Sequence, residues 1–128
     1  MFQNTPCCWA VYMAGLNIAY MLEQGGLPKM AEMAAERSAM LYGYIDNSDG
    51  YYSNGVAKEY RSRMNIPFRV KCEEALEKKF IAEAAEHGLI ELSGHRSVGG
   101  CRASLYNAMT IEGVAALIQF MKEFKERN

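Results

Sequence analysis

The sequence predicts an α+β fold (an α/β sandwich). In it, a small, mostly antiparallel sheet carries helices on one face and follows a long apolar N-terminal helix. Four stretches repeat apolar residues at helical spacing, one short stretch alternates them with period two, and two short apolar runs flank a Gly-Gly pair. The order read from these is helix, helix, strand, helix, strand, strand, helix.

The first helix is expected from Thr5-Pro6, with Thr5 as N-cap and Pro6 as a first helical residue that needs no N–H donor. "CCWAVYMAGLNIAYML" (7–22) follows, apolar nearly all round, with Asn17 its one clearly polar side chain. It is shorter than the about 20 residues that span a bilayer, so no membrane role is expected. A helix apolar on every side wants burial on every side, which predicts a partner surface. Gly25-Gly26 should end it, and Pro28 should restart a second helix with Met30, Met33, Ala34, Met40, Leu41, Tyr44 and Ile45 inward. "IDNSDGYYSNG" fails as a calcium loop. Placing Gly50 sixth puts Ile45 first and Val56 twelfth, where acids are required, so it reads as a turn.

"RMNIPFRV" alternates Met64, Ile66, Phe68 and Val70 on one face of a half-buried strand, and Pro67 suggests an edge or a bulge. Residues 73–86 read as a helix with Leu76, Phe80, Ile81 and Ala84 inward, closed by Gly88. Glu73, Glu74 and the run Glu77-Lys78-Lys79 read as its solvated face. Residues 89–92 and 102–107 read as short strands. Thr110 should cap a last helix with Ile111, Val114, Leu117, Ile118, Met121 and Phe124 on its core face.

With 128 residues, half of them apolar and a formal net charge of −1, the chain reads as one ordinary globular domain. A near-neutral chain has no electrostatic footprint for nucleic acid. Four cysteines without C-x-x-C spacing and only two histidines argue against a metal site and for free thiols in a reducing cytoplasm. No secretory signal pattern opens the chain.

Chemistry concentrates in "GHRSVGGCRAS" (94–104). Arg96 and Arg102 offer planar forks for carboxylate or phosphate, His95 adds a donor, and Gly99-Gly100 allow close approach. Two readings fit: a glycine turn with solvated arginines, or a receptor for a small anion. "NTP" likewise reads as a plain N-cap, or as a helix N-terminus where Asn4 and Thr5 complete a phosphate site. Cys101 is either a packing residue or a thiol activated by neighbouring arginines.

The strings "NTP", "EQGGL", "LYGYIDNSDGYY", "RSRMNIPFRV", "ALEKKFIAEA" and above all "GHRSVGGCRASLYNAMTIEGV" resemble the C-terminal part of the phosphoserine aminotransferase family, over essentially all 128 residues. These are fold-type I enzymes using pyridoxal 5′-phosphate (PLP). The resemblance implies the C-terminal small domain (1–128) of an enzyme interconverting 3-phosphohydroxypyruvate plus glutamate with O-phosphoserine plus 2-oxoglutarate. In some bacteria it also implies an analogous step of vitamin B6 synthesis. It implies that Arg102 holds the substrate α-carboxylate and that His95 and Arg96 bind the distal phosphate or carboxylate. Asn4 and Thr5 would reach the PLP phosphate of the neighbouring subunit of a homodimer. A proline usual after "NTP" in the family is Cys7 here. The family's large domain, with the lysine that binds PLP covalently, is not matched, and none of the seven lysines here occupies such a motif. The isolated chain is therefore expected to be inactive, without covalent PLP. The alternative is a stand-alone, non-enzymatic module that retains the fold and binds a small acid.

Overall fold

In a computed structural model, which describes residues 4–128, the apolar run forms helix α1 (Cys8–Glu23). Thr5 and Pro6 do not start it. Cys7 takes the N-cap position with ψ 86°, outside the helical range, and no side chain caps the end. The ladder opens with Val11 N–H donating to the Cys7 carbonyl at 3.1 Å. Every α1 residue is exposed except the half-buried Met21, with Trp9 at 70% and Leu22 at 68% of full exposure. The helix ends at Gln24, and Gly25 and Gly26 follow at φ 106° and 72°, a reversal that side chains other than glycine's resist.

Helix α2 (Gly26–Asp46) carries Pro28 in its first turn. The chain divides into two compact units, Met1–Met33 and Ala34–Asn128, with the boundary inside α2. The second unit holds the sheet.

That unit continues through β1 (Tyr52–Ser53), a 3-10 turn (Lys58–Tyr60), β2 (Asn65–Val70), α3 (Glu74–Glu86), β3 (Cys101–Ser104) and α4 (Ile111–Arg127). The sheet order is β1-β2-β3, antiparallel throughout, with Tyr52 opposite Val70, Ile66 opposite Ala103 and Phe68 opposite Cys101. Strand alternation sends Ile66, Phe68, Val70, Cys101 and Ala103 to one face. There they join Leu41 and Ile45 of α2, Phe80 and Ala84 of α3, and Val114, Leu117, Phe120, Met121 and Phe124 of α4 in a single buried cluster. Phe80 sits at its centre, 5.1 Å ring to ring from both Phe120 and Phe124 and 5.8 Å from Phe68. Burying each such ring contributes roughly 1.5–3 kcal/mol. The helices therefore cover one face, as expected. The opposite face presents Asn65, Pro67, Arg69, Arg102 and Ser104, none of them buried.

Four expectations need correction. The turn after α2 contains a strand, β1, because Tyr52 is pulled inward: its hydroxyl donates to the Met121 carbonyl at 2.8 Å and its N–H to Ser48 Oγ at 3.0 Å. Residues 89–92 form no strand; only Ser93 bridges to Cys101, and the last strand is shorter than 102–107. Pro67 lies in the central strand rather than at an edge or bulge. Its carbonyl accepts from Asn54 Nδ2, and the nitrogen and carbonyl of one strand residue point the same way. The missing N–H thus faces the side where the two-residue β1 has already ended. Lastly, Glu77 is not on a solvated face; it is 3% exposed. The Thr110 cap holds, accepting from Gly113 N–H at 3.2 Å.

Arg37 is fully buried and ties α2 to the entry of α4. Its Nη1 donates to the carbonyl of Met109 at 2.8 Å and of Asn107 at 3.5 Å, while Nε and Nη2 have no partner among the described residues. Arg37→Met removes the charge-assisted bonds but also relieves the burial of two unpaired donors. Because a charge-assisted bond is worth about 1.5–3 kcal/mol, the expected net loss is about 2 kcal/mol. It would appear as a lower urea midpoint with unchanged slope; a raised midpoint would show that desolvation wins.

Candidate functional site

The segment joining α3 to β3 closes on itself at glycines. Gly94 N–H donates to the Gly100 carbonyl at 2.9 Å, and the N–H groups of Val98 and Gly99 both donate to the His95 carbonyl at 2.8 Å. A Cβ on Gly94 would lie 2.0 Å from the Gly99 carbonyl oxygen, so the loop shuts only around glycine. Gly99 and Gly100 adopt φ 75° and 71°. Just outside the loop, Arg102 N–H donates to the Leu92 carbonyl at 2.8 Å.

This closure places His95 and Arg96 on an exposed crest. Ser97 N–H donates to His95 Nδ1 at 3.3 Å, and Ser97 Oγ lies 2.7 Å from the same nitrogen. An Nδ1 that accepts from a backbone amide puts the proton of the neutral ring on Nε2, which is left as an outward donor. Beside the crest runs a groove of about 300 Å³, lined by Arg69, Glu74, Glu77, Lys78, His95 and Arg96 among others. Its acids are committed: Glu74 pairs with Lys78 at 2.6 Å and Glu77 with Arg69 at 2.5 Å. The bond to Glu77 raises the Arg69 pKa above its ordinary value. Among the described residues, no ion-pair partner meets Arg96. The groove therefore offers uncompensated positive charge at Arg96 and a donor at His95.

Arg102 does not line that groove. It stands opposite Pro67 on the open face of the sheet, half-buried, with its Nε shut from water and, among the described residues, without a hydrogen-bond partner. Its neighbour Cys101 faces the core, and burial pushes the thiol up to about 12, which makes it a packing residue and not an activated nucleophile. Asn4 and Thr5 are exposed and precede α1, in the other unit. The structure thus joins His95 with Arg96 and places Arg102 at the far end of the same segment. A larger groove, about 370 Å³, lies between the 88–92 segment, β3 and the start of α4; it is mostly apolar and holds none of the expected site residues.

The sequence pattern did not single out Arg69 and assigned Glu77 to a solvated face. A signal was present: Glu77 lies three, four and seven residues before Phe80, Ile81 and Ala84, on the core face of α3, and an acid there demands a cationic partner.

A family model, aminotransferase class-V, matches residues 1–117. The chain belongs to this family. Among curated members, it is 52% identical over 125 residues to the phosphoserine aminotransferase of Acinetobacter baumannii (strain ACICU). That match covers 98% of this chain and 34% of the relative. The chain therefore spans about a third of the length of the curated relatives it matches. Solved structures agree. The phosphoserine aminotransferase from Bacillus circulans subsp. alkalophilus superposes with a TM-score of 0.93 at 41% identity, over 97% of this chain and 34% of that one. The PLP-bound phosphoserine aminotransferase from Trichomonas vaginalis gives 0.88 at 38%, over 94% and 34%.

Proposed function

We propose that these residues are the C-terminal small domain of a PLP-dependent phosphoserine aminotransferase, which exchanges the amino group between O-phosphoserine and 2-oxoglutarate. One observation carries the reading: the open sheet face holds an arginine, Arg102, with a buried, unpartnered Nε, one short loop away from the uncompensated pair His95 and Arg96. A substrate with an α-carboxylate and a distal anion suits that arrangement. Arg102 holds the carboxylate, with a planar fork that fixes its orientation. His95, through its Nε2–H, and Arg96 hold the phosphate of phosphoserine or the side-chain carboxylate of glutamate.

The residues before α1 fit the phosphate of PLP. The helix N-terminus has no side-chain cap and no acid in its first turn, so its N–H groups are available to an anion beside Asn4 and Thr5. In this reading they serve the neighbouring subunit of a homodimer. When bound, PLP supplies the electron sink for breaking bonds at the substrate α-carbon. The lysine that would carry it is not among the seven here, so turnover needs residues outside these 128.

The test is an amino-transfer assay on the protein carrying these residues, supplied with PLP and 2-oxoglutarate. Phosphoserine should be used at least tenfold more efficiently than serine, because one charge-assisted bond to the phosphate is worth about 1.5–3 kcal/mol. Equal use of the two would overturn the assignment of a distal phosphate site.

A further inference from the structure

We propose that Arg69, held by the buried carboxylate of Glu77, is a positioning residue. It braces the 95–99 loop from β2 and so presents His95 and Arg96 to the distal anion of the substrate. The second half of the statement rests on the reading of those two residues given above; the brace itself rests on geometry.

Arg69 touches three segments: β2, α3 and the glycine loop. It grows from β2, and its Nε donates to Glu77 Oε1 on α3 at 2.5 Å. Its Nη1 points to the Val98 carbonyl of the loop at 3.5 Å. The stem lies across Gly100: a Cβ there would sit 2.7 Å from Arg69 Cδ and 3.2 Å from Nε. Gly100 thus lacks a side chain where the arginine passes, and loop and arginine occupy complementary space.

Glu77 explains why the arginine stays. Its carboxylate is nearly removed from water and accepts two bonds, from Arg69 and from the Val70 N–H at 3.3 Å. A buried carboxylate deprived of its cation is strongly disfavoured, so Glu77 pins the guanidinium in one place. The same pairing neutralises Arg69 as an anion receptor. It cannot compete with Arg96 for substrate, and its remaining function is to set the height and angle of the crest. Ser97, fixing the His95 ring from within the loop, complements this brace from outside it.

The experiment compares the full 128-residue chain with Arg69→Lys and Glu77→Gln by amide hydrogen exchange, melting, and ¹⁵N signals of the His95 ring during titration with inorganic phosphate. Arg69→Lys keeps a cation for Glu77 and should leave Tm and the exchange of α4 amides unchanged. It lacks the fork that reaches Val98, so exchange at the Gly94 and Gly99 amides should rise about tenfold, and phosphate affinity at His95 should fall similarly. Glu77→Gln should loosen the same amides. If both variants leave loop exchange at the wild-type level while folded, the brace is overturned. If the wild-type His95 ring ignores phosphate while loop exchange responds as expected, the distal-anion reading falls and the brace stands. If wild type and Arg69→Lys bind phosphate equally with identical loop exchange, the brace falls and the reading stands.

Discussion

Arg102→Ala, made in the protein that carries these residues, is expected to lower kcat/KM about 10- to 150-fold for every amino acid tested, on the proposal that Arg102 holds the α-carboxylate. That is the value of one lost charge-assisted interaction of about 1.5–3 kcal/mol. The loss should be uniform, because every amino acid tested carries an α-carboxylate. Arg102→Lys does not restore activity, since an ammonium on a flexible stem cannot reproduce the fork that the strand aims from beside Pro67. Arg96→Ala behaves differently. In the proposed distal-anion role, its loss should raise KM for phosphoserine and glutamate and leave an amino acid without a distal anion, such as alanine, unaffected. Steady-state kinetics with those three substrates decide the matter; matching profiles for Arg96→Ala and Arg102→Ala would show that the two arginines do not divide the substrate between them.

Gly94→Ala produces the largest effect expected from a single methyl group. The new carbon would sit 2.0 Å from the Gly99 carbonyl oxygen and 2.8 Å from that of Gly100, both rigid backbone atoms. The loop must open to admit it, a penalty of about 3 kcal/mol against the closed form by the scale of overpacking in tight sites. The bond from the amide at position 94 to the Gly100 carbonyl is lost with it. Exchange of that amide should then accelerate about 150-fold, the ratio that 3 kcal/mol represents, while α4 amides keep their protection. Unchanged exchange would mean that the loop samples open forms already. Gly55 makes the control, because a Cβ there meets nothing within 4 Å.

Much of this fold was legible before any coordinates. Val114, Leu117, Met121 and Phe124 repeat at helical spacing, and Ile66, Phe68 and Val70 alternate, because one-sided burial imposes its period on the chain. What escaped depends on tertiary contact. A two-residue strand has no period to detect, so β1 appears only through the bonds Tyr52 makes to Ser48 and Met121. Pro67 was misplaced because the rule against central prolines assumes neighbours on both sides, and β1 stops short. Thr5 looked like a cap, yet whether a helix begins at Pro6 or Cys8 turns on a single ψ angle at Cys7. In the site, His95, Arg96 and Arg102 announced themselves by charge among glycines. Their separation into a crest and an open sheet face did not, since it follows from strand parity and loop closure. Arg69 read as one more strand residue, because its partner sits on another element.

The strand pairing has a consequence for how the site comes into being. Along the chain, Ile66 and Ala103 are about twice as far apart as Tyr52 and Val70, so joining β3 to β2 carries roughly 0.6 kcal/mol more loop-closure entropy than joining β1 to β2. The aromatic rings that cover the sheet from α4 come later still in sequence. During synthesis the hairpin of β1 and β2 and the helix behind it can associate while β3 is still being made. Arg102 and the glycine loop then dock onto a surface already half built. The site segment thus joins between the first hairpin and the closing helix α4, on a frame whose order does not depend on it.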